Sequence, residues 1–184
     1  DEVIETRTPY LKPSAMDWSL LTDDDLAAMP VLAELKKAQW QSFTTPDIVA
    51  PDLRIWFVGI NPGRASAAKG HNFAGPGNHF WRLLHDAGLT PRVYAPDEER
   101  HLLDHGLGIT NVVSRATRGE ADLTWDELVA GGEELRAKVK ELRPRIVALL
   151  GKAVYRAYAG LSSSAKVEWG LQTAEIVPGV PTFV

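Results

Sequence analysis

The residues that could do chemistry crowd into one stretch, RIWFVGINPGRASAAKGHNFAGPGNHFW, at positions 54–81. Asn61 opens a glycine-containing turn, Phe73 follows in a polar loop, and His71 and His79 stand on either side of it. An asparagine amide is no base, but its oxygen can accept a hydrogen bond from water and hold it in line. Asn-Pro is equally a common turn pair. The string GINPG lacks the spacing of a dinucleotide loop, and no Lys-Ser or Lys-Thr pair follows it as in a phosphate loop. His71 and His79 have no cysteine or clear carboxylate pattern beside them. They read as loop and helix-cap hydrogen-bonding groups rather than metal ligands. The chain has no cysteine at all, which excludes thiolate catalysis, disulfides and Cys-based metal sites. Gly75, Gly77 and Asn78 precede a helix, where backbone N–H groups can hold a phosphate or cap the helix. Arg64, Lys69, Arg115 and Arg118 give a local positive face within a chain of net charge −4.

The surrounding elements must position these groups. Ile55-Trp56-Phe57-Val58 is a continuous apolar run, which predicts a strand over 54–60 buried on both faces, as in a parallel sheet. GNHFWRLLHDAGL reads as a helix stopped at Gly88. PDEERHLLDHG reads as another, with Pro96 near its start and its acids, Asp97 to Glu99, facing solvent. LGITNVV is a second strand. TWDELVAGGEELRAKVKEL is a long helix opened by a Thr124–Glu127 capping box and weakened at Gly131-Gly132. RPRIVALLG is a third strand, KAVYRAYAGL a helix, and QTAEIV and PTFV the last strands. Before them, residues 1–22 read as an irregular arm, and Asp23–Asp25 cap a helix that Pro30 interrupts. Strands alternating with helices predict one α/β domain over 1–184. It is a three-layer α/β/α sandwich on a mostly parallel sheet of four to five strands, with residues 1–50 an arm and helix packed on it. In such sheets ligands sit beyond the carboxyl ends of the strands, where the long loop 61–77 leaves strand one. No apolar run is long enough to span a membrane. The arm lacks the pattern of a secretory signal, and the expected location is the cytoplasm, or a bacterial nucleoid.

The string GINPGRASAAKGHNFAGPGNHFW resembles the first active-site motif of the mismatch-specific uracil-DNA glycosylases and thymine-DNA glycosylases. These form one branch of the uracil-DNA glycosylase superfamily. The likeness continues through GITNVVSRATRG, the Gly-Gly of ELVAGGEELRAKV and RPRIVALLGKAVY, from Arg54 to Gly170. It implies a monomeric, monofunctional enzyme without metal or other cofactor. Such an enzyme flips uracil, or mispaired thymine, out of a G·U or G·T pair in duplex DNA and hydrolyses its N-glycosidic bond. No lysine occupies the turn to form a Schiff base.

The resemblance also implies roles. Asn61 would place the water. Phe73 would carry the flipped base by stacking, with Ile60, Ser66, Asn111 and Thr117 around it. Gly63, Arg64, Lys69, Gly77, Asn78 and Arg115 would meet the DNA backbone. The small Ala65 and Ser66 would leave room at the base's 5-position. Asn72 stands where the thymine-excising pattern has His, which favours uracil over thymine. As single residues, Phe73 also fits a loop's core anchor, and Asn111 a strand-ending residue bonded to its own backbone. The family has a second motif, a Pro-Ser-rich loop that fills the gap left by the flipped base. It would follow a strand such as VPTFV, and no stretch up to Val184 takes that part. A non-catalytic mismatch- or abasic-site binder is therefore the alternative expectation.

Overall fold

The computed structural model describes residues 44–184. The expected arm and the acid-capped helix fall outside the described residues. Four strands form one parallel sheet: β1 (Ile55–Gly59), β2 (Leu107–Asn111), β3 (Val147–Leu149) and β4 (Thr182–Phe183). Their spatial order is β2-β1-β3-β4, so the chain steps to one side of β1 and then crosses to the other. In the β1–β2 register Ile55 faces Leu107 and Gly59 faces Asn111.

The continuous apolar run of β1 follows from burial on both sides. Trp56 and Val58 join Leu128, Leu135, Val139 and Val154 in one core cluster. Those partners lie on α3 (Trp125–Leu142) and α4 (Lys152–Ala159). Phe57 joins Phe80, Trp81, Leu84 and Leu102 in a second cluster, built with α2 (Phe80–Asp86) and the segment Pro96–His105. An α/β/α arrangement around a parallel sheet results.

The Thr124–Glu127 capping box is present: Thr124 Oγ1 accepts from the Glu127 N–H at 3.2 Å, and Glu127 Oε2 accepts from the Thr124 N–H at 2.8 Å. Gly131 and Gly132 do more than weaken α3. A Cβ on Gly131 would collide with the Val112 carbonyl oxygen, and one on Gly132 with that of Ala157. The pair lets α3 seat directly against the end of β2 and against α4.

Three expectations are corrected. Pro96–His105 is a 3-10 helix rather than an α-helix. Residues three apart then share one face, which turns Glu99 inward together with Leu102; both are buried. QTAEIV is not a strand. Only an isolated bridge, Leu171 to Phe183, borders β4, and the chain then bends to a turn closed by the Val177–Val180 bridge. The loop after β1 is not wholly irregular, because Arg64–Lys69 forms the short helix α1 and Gly70 ends it in the left-handed conformation.

Candidate active site

A cavity of about 280 Å³ opens at the carboxyl ends of the strands. Ile60, Asn61, Ser66, Phe73 and Asn78 line it from the connection after β1, Asn111 from the end of β2, and Leu150 from just beyond β3. The volume lies at the small end of ligand cavities, which run from about 300 to 1,000 Å³. It suits one flat base rather than a dinucleotide.

Asn61 is fixed by the loop that follows β2. Gly63 and Thr117 form a parallel bridge, and the Thr117 N–H donates to the Pro62 carbonyl at 3.1 Å. Asn61 Nδ2 donates to the Arg115 carbonyl at 2.9 Å, to Thr117 Oγ1 at 2.8 Å and to the Pro62 carbonyl at 3.3 Å. Carbonyl oxygens only accept, so the amide nitrogen must face them. Oδ1 is the acceptor that remains to Asn61.

Thr117, expected beside the base, stands behind Asn61 instead. It is buried, does not line the cavity, and its hydroxyl donates a hydrogen bond to the Gly119 carbonyl at 2.8 Å. Arg115 departs from expectation too. Its guanidinium grips Glu127 at 2.8 and 3.0 Å and reaches the Asp122 carbonyl at 3.0 Å. That hydrogen-bonded pair holds the Glu127 carboxyl down at about 2 and raises the arginine further. Arg115 serves the site with its carbonyl, and its charge is spent on α3.

Phe73 has φ of +52°, which a bulky side chain rarely adopts. Its ring stacks on Phe80 with centroids 4.0 Å apart and planes 21° apart. The backbone on its far side is tied to α1: Ser66 Oγ accepts from the Ala74 N–H at 3.0 Å, and Lys69 Nζ donates to the Ala74 carbonyl at 3.0 Å. Such strain costs roughly 1–3 kcal/mol and persists only where the surroundings enforce it. Asn78 Oδ1 accepts from the Phe80 N–H at 2.9 Å and starts α2, and Gly77 before it takes a left-handed turn. Gly63, Arg64, Lys69, Gly77, Asn78 and Arg118 are exposed, and of these Gly63 and Asn78 line the cavity.

Asn111 folds back over Gly59. A Cβ on Gly59 would lie 2.5 Å from Asn111 Oδ1, so a larger residue there would displace the Asn111 amide. Asn111 Nδ2 donates to Asn72 Oδ1 at 3.1 Å and to Thr45 Oγ1 at 3.3 Å. His71 Nδ1 meets Glu99 Oε1 at 3.1 Å, while His79 makes no side-chain cap on α2. Among the described residues no three His, Cys, Asp or Glu side chains are grouped to hold a metal ion.

Sequence reasoning missed Gly59, Thr45 and Glu99. Gly59 stood in view as the first residue of the motif GINPG. Thr45 carried no signal, because it arrives through the Ile48–Ile109 bridge that lays residues 45–48 along β2.

A parallel sheet carries at its carboxyl end a cavity walled by an aromatic ring and two anchored amides, the arrangement of an α/β protein with its pocket where the strands end. Residues 46–181 match the model of the uracil DNA glycosylase superfamily. The chain belongs to that superfamily. It is a family of hydrolases that remove uracil from DNA in base repair.

Proposed function

We propose that this chain is a monofunctional, monomeric glycosylase of the mismatch-specific branch, removing uracil paired with guanine from duplex DNA. The observation that carries the reading is the anchoring of Asn61. With its amide hydrogens committed to Arg115, Thr117 and Pro62, the side chain offers one acceptor beside the cavity. A water donating to that oxygen is held against C1′ of a flipped nucleotide whose base stacks on Phe73. The C1′–N bond breaks with its electron pair on the base, and the sugar becomes oxocarbenium-like. Such a centre needs little nucleophile activation, so orientation supplies much of the rate. The water oxygen bonds to C1′ and gives up a proton to solvent, the departing base anion takes one up from solvent, and an abasic site and free uracil remain.

Flipping costs a few kcal/mol and least for a mismatched base, which favours uracil opposite guanine. Phe73 repays part of that, since stacking contributes about 1–3 kcal/mol per base. Asn111 meets the ring edge, and Ala65 and Ser66 border its 5-position. Gly63, Arg64, Lys69, Gly77 and Asn78 lie along the DNA backbone. The reaction takes no metal or other cofactor and leaves the strand uncut at the abasic site, because no lysine amine stands in the Asn61 turn to attack C1′.

The test compares uracil release from duplexes holding one G·U, A·U or G·T pair, and from free deoxyuridine. Release fastest from G·U supports the reading. No release from any duplex by the full-length folded protein overturns it in favour of a binder, and release from deoxyuridine alone overturns it in favour of a nucleoside hydrolase.

A further inference from the structure

Glu99 is 3 % exposed, does not line the cavity and takes no part in the chemistry above. A buried carboxylate is costly unless its oxygens are satisfied. Here they accept from the Asn72 N–H at 2.9 Å and from Asn72 Nδ2 at 2.9 Å, with His71 Nδ1 at 3.1 Å. Asn72 is itself 2 % exposed, and its Nδ2 also donates to the Pro46 carbonyl at 2.8 Å.

These contacts set a direction. Two acceptors, a carboxylate and a carbonyl, claim both hydrogens of the Asn72 amide, so Asn72 can turn only its oxygen outward. That oxygen accepts from Asn111 Nδ2 at 3.1 Å, and Thr45 Oγ1 stands at 3.3 Å from the same nitrogen. The Asn111 nitrogen is then engaged, and its oxygen is left on the side of Gly59 and the cavity.

We propose that Glu99 is a positioning residue for base recognition, acting through Asn72 to present the Asn111 amide to the cavity in one orientation. Resting on the glycosylase reading, the proposal adds a residue that never touches the base. Replacing Glu99 by leucine removes the acceptor of the Asn72 N–H and of one Asn72 amide hydrogen, and leaves only the Pro46 carbonyl to hold the Asn72 amide, and through it the Asn111 amide, in place.

The experiment uses the full chain as wild type, Glu99→Leu, Asn111→Ala and the double variant. Two duplexes are titrated: one with 2′-fluorodeoxyuridine, which resists cleavage, opposite guanine, and one with a tetrahydrofuran abasic analogue. Glu99→Leu is expected to weaken the uracil-analogue complex about tenfold to a hundredfold, as for a lost buried hydrogen bond. The abasic complex should stay within about twofold, and Glu99→Leu should add less than about twofold to Asn111→Ala. Equal loss on both duplexes, or full additivity with Asn111→Ala, overturns the proposal, since either marks general damage to the fold. Asn72→Ala cuts the same relay and is read the same way if Glu99→Leu does not fold. A wild type that does not favour the uracil duplex overturns the glycosylase reading, and this proposal with it. A wild type that favours it beside a Glu99→Leu protein that does so equally overturns the relay alone.

Discussion

Asn61 gives its amide hydrogens to two main-chain carbonyls and one hydroxyl, whereas Asn111 gives its own to side chains alone. The first amide is therefore held by the path of the backbone, where the turn after β1 bridges the loop after β2. The second is held by a relay that begins at a buried carboxylate. The difference teaches where each function can be lost. The water placement proposed for Asn61 should survive most single side-chain changes nearby. The base recognition proposed for Asn111 should fail wherever the relay or its glycine floor is touched.

The comparison can be broken from the Asn111 side with one methyl group. Gly59→Ala puts a Cβ 2.5 Å from Asn111 Oδ1 and only in ordinary contact with the Phe73 ring at 3.5 Å, so it is the Asn111 side chain that must move. Forcing atoms into such a place costs about 1–3 kcal/mol, and kcat/KM for a G·U duplex should fall about tenfold to a hundredfold. Steady-state kinetics with a thermal melt checks this. Activity that is unchanged would show that Asn111 does not need its place over Gly59.

From the Asn61 side, Thr117→Val removes the one side-chain acceptor and leaves both carbonyls. Losing one hydrogen bond of about 1 kcal/mol should slow single-turnover cleavage about fivefold, with duplex affinity unchanged. A loss as deep as that of Asn61→Ala would mean that the backbone does not hold the amide.

A smaller effect comes from acid. Arg115 holds the Glu127 carboxyl at about 2, against 4.5 in the absence of partners. A depressed carboxyl contributes stability that is fully present above its unfolded value and lost as pH falls through its folded value. The loss therefore runs from 4.5 down to about 2. Both side chains are about a third exposed, so the contribution is below about 1 kcal/mol. Chemical denaturation at pH steps across this window should show a shallower fall for Glu127→Gln than for wild type. Parallel curves would show that the pair contributes nothing.

Much of this was legible in the sequence. The apolar run of β1 announced burial on both faces, and the strand–helix alternation announced the layered sheet. Asn61, Phe73 and Asn111 were found because their motif is contiguous or ends a readable strand. Glu99 was read as a solvent-facing helix start because acids in a first turn usually face water, and its partners Asn72 and His71 lie on a distant loop that leaves no local mark. Arg115 was counted as surface charge because its partner Glu127 belongs to a capping box twelve residues on. Gly131-Gly132 looked like a weakness because close approach of another backbone leaves no mark on the local pattern. QTAEIV had strand composition, yet beyond the Leu171–Phe183 bridge just before it only the Gln172 N–H reaches β4, at the Thr182 carbonyl.

The division of labour between the two amides is tested most directly by measuring rate and affinity together in Asn61→Ala and Asn111→Ala. Single-turnover release of uracil from a G·U duplex gives the rate, and titration with the 2′-fluorodeoxyuridine duplex gives the affinity. Asn61→Ala should lose on the order of 10²- to 10³-fold in rate, as for a misplaced reacting group or a lost transition-state contact. Its affinity should remain close to wild type, while Asn111→Ala should lose affinity first. An Asn61→Ala protein that cleaves at the wild-type rate would contradict the account.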